Sequence, residues 1–220
     1  MFIPKPFAPD DASVHELLTN LGAADLVTMT AQGLLATPLP LVHAPEIGER
    51  GTLIGHMARA NKQWQEPVIG EALVIVRGPD AYVTPTWYAT KLEHHRVVPT
   101  WNYVTAHVHG RMIVRDDPEW TERQIRRLTD RHEASYAEPW SVDQAPAKFI
   151  ERQLRGIVGI ELAITRIEAS FKLSQNQPSE NVEGVVAGLT ARGQADDTAM
   201  AAAVRAHNPH DSPSRPKGPQ

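Results

Sequence analysis

The sequence predicts an α+β fold built on an antiparallel β-barrel with peripheral helices. Six or seven strand-like segments follow one another through mostly short turns, and the helical segments are grouped near the N-terminus and after one long strand. The 220 residues are enough for one ordinary domain with its own hydrophobic core.

The individual elements are predicted from apolar periodicity. Residues 13–21 have helical spacing, and the candidate N-caps are Asp10, Asp11 and Ser13. Strands are predicted over 24–30, 34–44, 52–57, 71–77, 81–84, 101–115 and 156–173, with a tight turn at 78–80. Further helices are predicted over 59–66, 117–134, 146–154 and 178–191.

The C-terminal end differs in composition from the rest of the chain. After Gly188 the sequence is rich in Ala, Asp, Gly and Pro, which predicts a weak helix near 197–206 and otherwise a disordered tail that buries no apolar surface. We therefore expect a folded domain over 1–190 and a weakly helical or disordered tail over 191–220.

The composition argues against several classes of protein. The absence of cysteine excludes disulfide scaffolds, thiolate metal sites and cysteine nucleophiles, and a net charge of −4 argues against a strongly basic nucleic-acid surface. No apolar run approaches the roughly 20 residues that cross a bilayer. Glycine-rich phosphate loops, the serine-hydrolase elbow and the zinc-protease motif are also missing. We expect a cytoplasmic protein without a membrane partner.

Residues 55–64 contain the first candidate functional site. A predicted strand runs into a helix start that contains Arg59 and Lys62. Free N–H groups at a helix start beside two cations form a site for a phosphate. The alternative is a solvated basic helix start.

The second candidate is a cluster of aromatic residues. Of the 5 Trp, 4 Tyr and 4 Phe in the chain, five lie within 82–103: Tyr82, Trp87, Tyr88, Trp101 and Tyr103. These residues include two aromatic pairs, and each pair follows a Pro-Thr dipeptide. Rings on segments that proline makes rigid suit stacking on a planar ligand or packing against another subunit. They are equally suited to closing one end of the barrel. Stacking on single-stranded nucleic acid would need a basic groove.

Three further patterns have both a functional and a plain interpretation. His107 and His109 share one face of a strand and can share a metal, although such residues are more often ordinary surface histidines. Four arginines share a face of the helix over 117–134, but five acids lie among them, which is typical of a solvated face. Residues 171–178 either grip a polar ligand or form a cap-and-turn network.

Several motifs together resemble one family. The segments are MFIPKPF, GHMARANKQW, GPDAYVTPTWY, VPTWNYVTAHVHG and LRGIVGIELAITRIEASFKLSQNQP, in this order from Met1 to about Leu189. They resemble the PaiB-like family of bacterial FMN-binding negative transcriptional regulators. The resemblance implies an FMN-binding split β-barrel of Greek-key type, a homodimer with FMN near the subunit interface, and a repressor role.

The resemblance also implies a set of cofactor-binding residues. His56, Arg59, Asn61 and Lys62 are expected at the flavin phosphate and ribityl chain, and Ala36 and Thr37 along the isoalloxazine edge. The residues expected to line and close the mouth are Trp87, Tyr88, Trp101, Asn102, Lys172, Gln175 and Asn176.

The sequence departs from the family pattern at four positions. Pro38 stands where His is common, Lys62 where Pro is frequent, His109 where Tyr is frequent, and Gln177 where Arg usually follows KLSQN. The changes at 38 and 177 bear on the flavin contacts. Gln177 removes the positive charge of the usual Arg, and Lys62 adds a cation that can replace it.

Two other functions stay open at this point. One is a flavin-dependent oxidoreductase acting on a small molecule, with His107 and His109 as candidate acid or base. The other is a haem-binding or haem-degrading split barrel. Direct DNA binding is only weakly supported, because the charge is negative and a helix-turn-helix is missing.

Overall fold

The computed structural model describes residues 1–209. The chain forms two compact units. The first unit contains Met1–Pro9, Arg77–Thr105 and the chain from Ala169 onward, and the second contains Asp10–Val76 and Ala106–Glu168. The predicted disorder of residues 210–220 lies outside the described residues.

Six strands are hydrogen-bonded in the order β1-β2-β3-β6-β5-β4 and close into a barrel, as predicted. Their bounds are β1 Ala23–Thr30, β2 Gly33–Ala44, β3 Thr52–Ala58, β4 Ala72–Val83, β5 Thr100–Arg115 and β6 Ile157–Lys172. In the second unit the pairing is antiparallel, with Val27 opposite Ala36 in the β1–β2 hairpin and Gly55 opposite Ile160 between β3 and β6.

Within residues 1–209, six α-helices accompany the strands: α1 Asp11–Thr19, α2 Lys91–His94, α3 Pro118–Glu133, α4 Ala147–Leu154, α5 Ser179–Arg192 and α6 Asp197–Ala206. The side chain of Asp10 caps α1 by accepting from the Ser13 N–H, and Asp117 caps α3 in the same way. Both helices therefore begin where the sequence has an acidic N-cap.

Two local predictions were wrong. Ala72–Val83 form one continuous strand instead of two strands around a turn, because Gly78-Pro79 is accommodated inside β4 where a strand can do without one N–H. The helix expected at 59–66 is only a 3-10 turn over Lys62–Gln65, because β3 extends to Ala58 and the Asn61 side chain caps the turn through the Gln63 N–H.

In the second unit, α3 packs on the outer face of the strands. Trp120 and Leu128 contact a core formed by Val42, Ala44 and Ile54. Trp120 also fits over Gly159, where an added Cβ would lie 2.2 Å from the indole ring. Because Gly159 has no side chain, Trp120 of α3 can pack against β6 at this position.

In the first unit, α6 is a packed helix and not a weak appendage. Met200 and Val204 are fully buried, so the expectation that the chain beyond 190 buries no apolar surface was wrong. The side chain of Arg192 at the end of α5 binds the buried Asp197 at the start of α6, with an Nη2–Oδ1 distance of 2.6 Å.

Candidate functional site

The cofactor-binding residues expected from the resemblance fall into two groups, one in each unit. The second unit holds Ala36, Thr37, His56, Arg59, Asn61 and Lys62. The first unit holds Trp87, Tyr88, Trp101, Asn102, Lys172, Gln175 and Asn176. Their roles toward a ligand remain predictions.

A hydrogen-bond network fixes the turn that carries Lys62. Asn61 donates from Nδ2 to Thr37 Oγ1 at 2.9 Å, and the Thr37 hydroxyl donates to Gln63 Oε1. Gln63 is buried, and its Nε2 donates to Thr28 Oγ1 at 3.0 Å. Because both ends of the Gln63 amide are bonded, the turn is tied to the β1–β2 hairpin. The sequence did not single out Gln63, since nothing in the NKQW segment marks a buried amide.

The two cations of this group have different surroundings. Arg59 binds Asp116 through both Nη atoms, at 3.1 and 2.5 Å, and its Nε donates to the Arg155 carbonyl oxygen. The hydrogen bond to Arg59 lowers the pKa of Asp116 below its ordinary value. Lys62 is exposed, and within residues 1–209 it has no acidic partner. Lys62 is therefore the cation available to an incoming anion.

His56 lies on β3 facing α3. Its Nδ1 is 3.0 Å from Gln124 Oε1, which makes Nδ1 the protonated nitrogen of a neutral ring. Burial lowers the pKa of His56, and the hydrogen bond that its ring donates to Gln124 only partly offsets this. At neutral pH the ring brings no positive charge to a phosphate. Ala36 lies exposed on β2, two residues before the exposed Pro38.

In the first unit, a hydrogen bond joins the PTWNY and KLSQN segments. Asn102 is fully buried, and its Nδ2 donates to Ser174 Oγ at 3.0 Å. Ser174 has a φ of 67°, a left-handed backbone that few non-glycine residues adopt. Asn102 Oδ1 is buried without a hydrogen-bond partner among the described residues. The sequence did not predict a role for Ser174.

The rest of the KLSQN segment forms a local network. Gln175 accepts from the Leu173 N–H at 2.7 Å and donates to the Phe171 carbonyl at 2.6 Å, so its amide is used by its own backbone. Lys172 Nζ donates to Thr100 Oγ1, which links β6 to β5. Asn176 is exposed. Of the two interpretations of 171–178, these contacts are those of a cap-and-turn network.

Four of the aromatic residues form two pairs, one largely buried and one exposed. Trp87 packs on α5, where an added Cβ at Gly188 would lie 2.2 Å from its ring, and the Arg192 guanidinium lies 5.1 Å from the ring centroid. Tyr88 is buried. Trp101 is 51 % exposed, contacts Tyr82 edge-on at 6.0 Å, and donates from Nε1 to Asp80. Trp101 and Tyr82 are thus the more exposed of these rings.

His109 belongs to an ion network in the second unit. Its Nε2 is 3.3 Å from Glu168 Oε2, and Arg166 Nη2 lies 3.0 Å from its Nδ1. Arg166 in turn binds Glu71 at 2.9 Å. His107 is partly buried, and burial lowers its pKa. Across the described residues, His, Asp and Glu side chains form no group of three able to hold a metal.

Two of the four arginines of α3 are held by acids of the same unit. Arg126 binds Glu122 and Asp143 at 2.8 and 2.9 Å, and Arg127 binds Glu46 at 2.7 Å. The charges of these two arginines are therefore largely neutralised, in keeping with the mixed sequence of the helix. In residues 1–209 no helix combines the length and apolar character of a membrane span.

Known proteins resemble this chain in sequence. Residues 1–166 match a family described as "Putative FMN-binding domain". "Protease synthase and sporulation protein PAI 2" of Bacillus subtilis (strain 168) is 30% identical over 191 residues, which cover 86% of this chain and 89% of that protein. The uncharacterized protein YKL070W of Saccharomyces cerevisiae is 32% identical over 169 residues, covering 68% of this chain and 100% of its own.

Solved structures share the fold. The FAD and haem binding protein of Mycobacterium smegmatis has a TM-score of 0.54 at 16% identity, covering 84% of this chain and 80% of that chain. The flavocytochrome Anf3 of Azotobacter vinelandii has a TM-score of 0.51 at 14% identity, covering 74% of this chain and 67% of that chain. At such identities the likeness concerns the fold alone, and it confirms the split-barrel class. The chain therefore belongs to the PaiB-like FMN-binding family with FMN as its cofactor, which confirms the family and the cofactor that its motifs predicted.

Proposed function

We propose that the chain holds the phosphate of FMN at the turn over Lys62–Gln65 and acts as a regulatory flavoprotein that does not read DNA itself. The observation that carries the binding proposal is the contrast between its two candidate cations. Lys62 is exposed without an acidic partner in the described chain, whereas Arg59 is fully engaged by Asp116 and by backbone carbonyls.

The residues around Lys62 suit a phosphate group. The Thr37–Asn61–Gln63 network fixes the turn before any ligand arrives, so little conformational entropy is lost on binding. Lys62 supplies the charge, and Asn61 and Thr37 hold the turn against the hairpin. Arg59 is assigned a positioning role, since its guanidinium joins the end of β3 to Asp116. FMN, when bound, supplies the electron and hydride chemistry.

Substitution of Lys62 tests this assignment. We expect Lys62→Gln to weaken FMN binding about tenfold, as loss of one charge-assisted contact does. Lys148→Gln removes the same charge from an exposed position of α4 and should bind FMN like the unmodified chain. Flavin fluorescence quenching gives both affinities. Equal affinities of the two variants would contradict a phosphate contact by Lys62.

The regulatory proposal is supported by the relative from Bacillus subtilis, whose name refers to protease synthesis and sporulation. Direct reading of DNA is disfavoured by the net charge of −4 and by the acid-paired arginines of α3. We propose a cytoplasmic homodimer that acts through a metabolite or a partner protein. Sequence-selective DNA footprinting at near-physiological salt by the FMN-loaded protein would contradict this, whereas weak, salt-sensitive binding supports it.

A flavin-dependent oxidoreductase is the second candidate, and the His109–Glu168 pair favours it. A histidine that a carboxylate orients is a common proton donor and acceptor. The proposal predicts that NAD(P)H or another donor reduces the bound flavin and that His109→Gln slows turnover of an accepted substrate. Failure of every nicotinamide donor to bleach the flavin, together with no turnover in a metabolite screen, would count against it.

Haem binding can be tested on the same purified protein. Two proteins that share the fold are named as haem or flavocytochrome proteins. In the described chain the candidate ligand His109 is already held by Glu168 and Arg166. We therefore expect no Soret band on titration with haemin. A Soret band that is lost in the His107→Ala and His109→Ala variants would favour the haem function instead.

A further inference from the structure

A second group of basic side chains lies in the second unit and takes no part in the contacts around Lys62. Its members come from α1, the end of β2 and the last turns of α3. They are His15, His43, Arg127 and Arg131, and the other three lie close enough to His43 to act on it electrostatically. Glu46 binds Arg127 at 2.7 Å, which leaves the group with excess positive charge even when both histidines are neutral.

His43 has an unused polar atom inside this group. The residue is only 9% exposed. Its Nε2–Cδ2 edge lies against Gly51, where an added Cβ would be 2.7 Å from Nε2. Nδ1, on the other edge, is buried and has no hydrogen-bond partner among residues 1–209. A buried polar group without a partner is unfavourable, and a hydrogen bond to a ligand would relieve this cost.

His15 makes the group accessible from solvent. It is exposed on α1, and its ring contacts the His43 ring edge-on with centroids 5.8 Å apart. A ligand that reaches His15 therefore reaches the neighbourhood of His43. Two adjacent imidazoles offer N–H donors to the same oxyanion.

Arg131 is the cation of the group that lacks a counter-ion. It follows Arg127 by one helical turn and thus lies on the same face of α3. It is partly buried, and within the described residues it forms no ion pair. Burial and the charge of Arg127 lower its pKa, but a guanidinium stays protonated at any physiological pH. A bound anion would offset the unpaired charge of the partly buried Arg131 beside Arg127.

We propose that His15, His43 and Arg131 bind the phosphate group of inorganic phosphate or a phosphomonoester. Arg131 would give the bidentate, charge-assisted contact that guanidinium groups form with phosphate, and the imidazoles would donate to the remaining oxygens. Arg127 adds to the positive field while it remains bound to Glu46. This site is independent of the proposed FMN contact.

Inorganic phosphate titrated into the FMN-loaded full chain at constant ionic strength tests the proposal. We expect saturable NMR shifts of the His15 and His43 imidazole signals. Arg131→Gln should weaken this binding about tenfold. Arg123→Gln is the matched control, because it removes the same charge from an exposed position of the same helix. Methyl phosphate in a parallel titration shows whether monoesters are accepted. No saturable shift of these signals with either probe would overturn the proposal, and so would equal affinities of the two variants.

Two further measurements separate this site from folding and from FMN. Arg131→Lys keeps the charge, so it should retain more affinity than Arg131→Gln, and thermal unfolding shows that both variants are folded. Lys62→Gln should leave the phosphate-induced His43 shift intact even if the flavin is lost. A His43 shift that disappears in Lys62→Gln but survives in Arg131→Gln would contradict a separate site.

Discussion

Asn102 donates a hydrogen bond to Ser174 Oγ at 3.0 Å, which joins the PTWNY and KLSQN segments inside the first unit. Both residues are buried, and Ser174 keeps a left-handed φ of 67°. The Asn102–Ser174 hydrogen bond thus joins the two most specific motifs of the family, beside the bond from Lys172 to Thr100. This relationship gives those motifs a structural role in addition to any role toward FMN.

Substitution of Asn102 should therefore destabilise the fold. We expect Asn102→Ala to lower the free energy of unfolding by about 1–3 kcal/mol, because it removes a buried hydrogen bond and leaves Ser174 Oγ without its donor. Ser174→Gly loses the same bond but relieves the left-handed backbone, so it should cost less than Ser174→Ala. Denaturant unfolding measures all three. An Asn102→Ala variant as stable as the unmodified chain would contradict this role.

Gly188 in α5 should not tolerate alanine. In an exposed helix position Gly→Ala stabilises by about 0.5–1 kcal/mol. Here the new Cβ would lie 2.2 Å from the Trp87 ring, so the sign reverses and we expect a clear loss of stability. The double variant Trp87→Ala/Gly188→Ala should lose less than the sum of the two single changes. Additive losses in thermal unfolding would refute the Trp87–Gly188 contact as the cause.

Acidification should weaken the fold through buried histidines. Burial lowers the pKa of His43, His56 and His107 below the ordinary 6.5. The unfolded chain then binds protons more readily, so their stabilising contribution is present above 6.5 and is lost as pH falls toward the lower folded pKa values. We expect the free energy of unfolding to fall between about pH 7.5 and pH 5.5.

A matched pair of variants assigns this pH dependence. His56→Asn should flatten the profile measured by denaturant unfolding. His132→Asn, at an exposed position of α3, should leave it unchanged. Identical slopes in the two variants would show that burial of His56 does not contribute to the acid sensitivity.

Removal of Arg192 should loosen the C-terminal helices. The Asp197 side chain is 3% exposed, and its hydrogen bonds to Arg192 hold its pKa below the ordinary value. Arg192→Ala leaves that carboxylate buried and unpaired, which we expect to cost about 3 kcal/mol. The double variant Arg192→Ala/Asp197→Ala should recover part of the loss, as a double-mutant cycle shows. No recovery would mean that the ion pair is not the source of the stability.

Much of the fold could be predicted from local sequence. The strand bounds at 24–30, 34–44 and 101–115 agree with β1, β2 and β5 to within one residue, because alternating apolar residues and the Gln32-Gly33 turn mark them. The prediction was wrong at Gly78-Pro79. This dipeptide commonly marks a turn that ends a strand, but here it lies inside the continuous strand β4. Alanine-rich α6 misled the prediction because its burial depends on the neighbouring α5.

The candidate site was less predictable because it depends on long-range contacts. The motifs identified Asn61, Lys62 and Asn102, but the partners that fix them come from distant positions, such as Thr37 and Ser174. The engagement of Arg59 by Asp116 separates two cations that look alike in sequence. Single-sequence patterns do not carry pairings of this kind.

The central claim is that this chain is an FMN-binding protein that holds the flavin phosphate at Lys62. The most direct measurement is the absorbance and mass spectrum of the purified full chain, followed by FMN titration of the chain and of Lys62→Gln. We predict flavin absorption bands and the mass of FMN, with weaker FMN binding by the variant. A colourless protein that takes up no added FMN would contradict the claim.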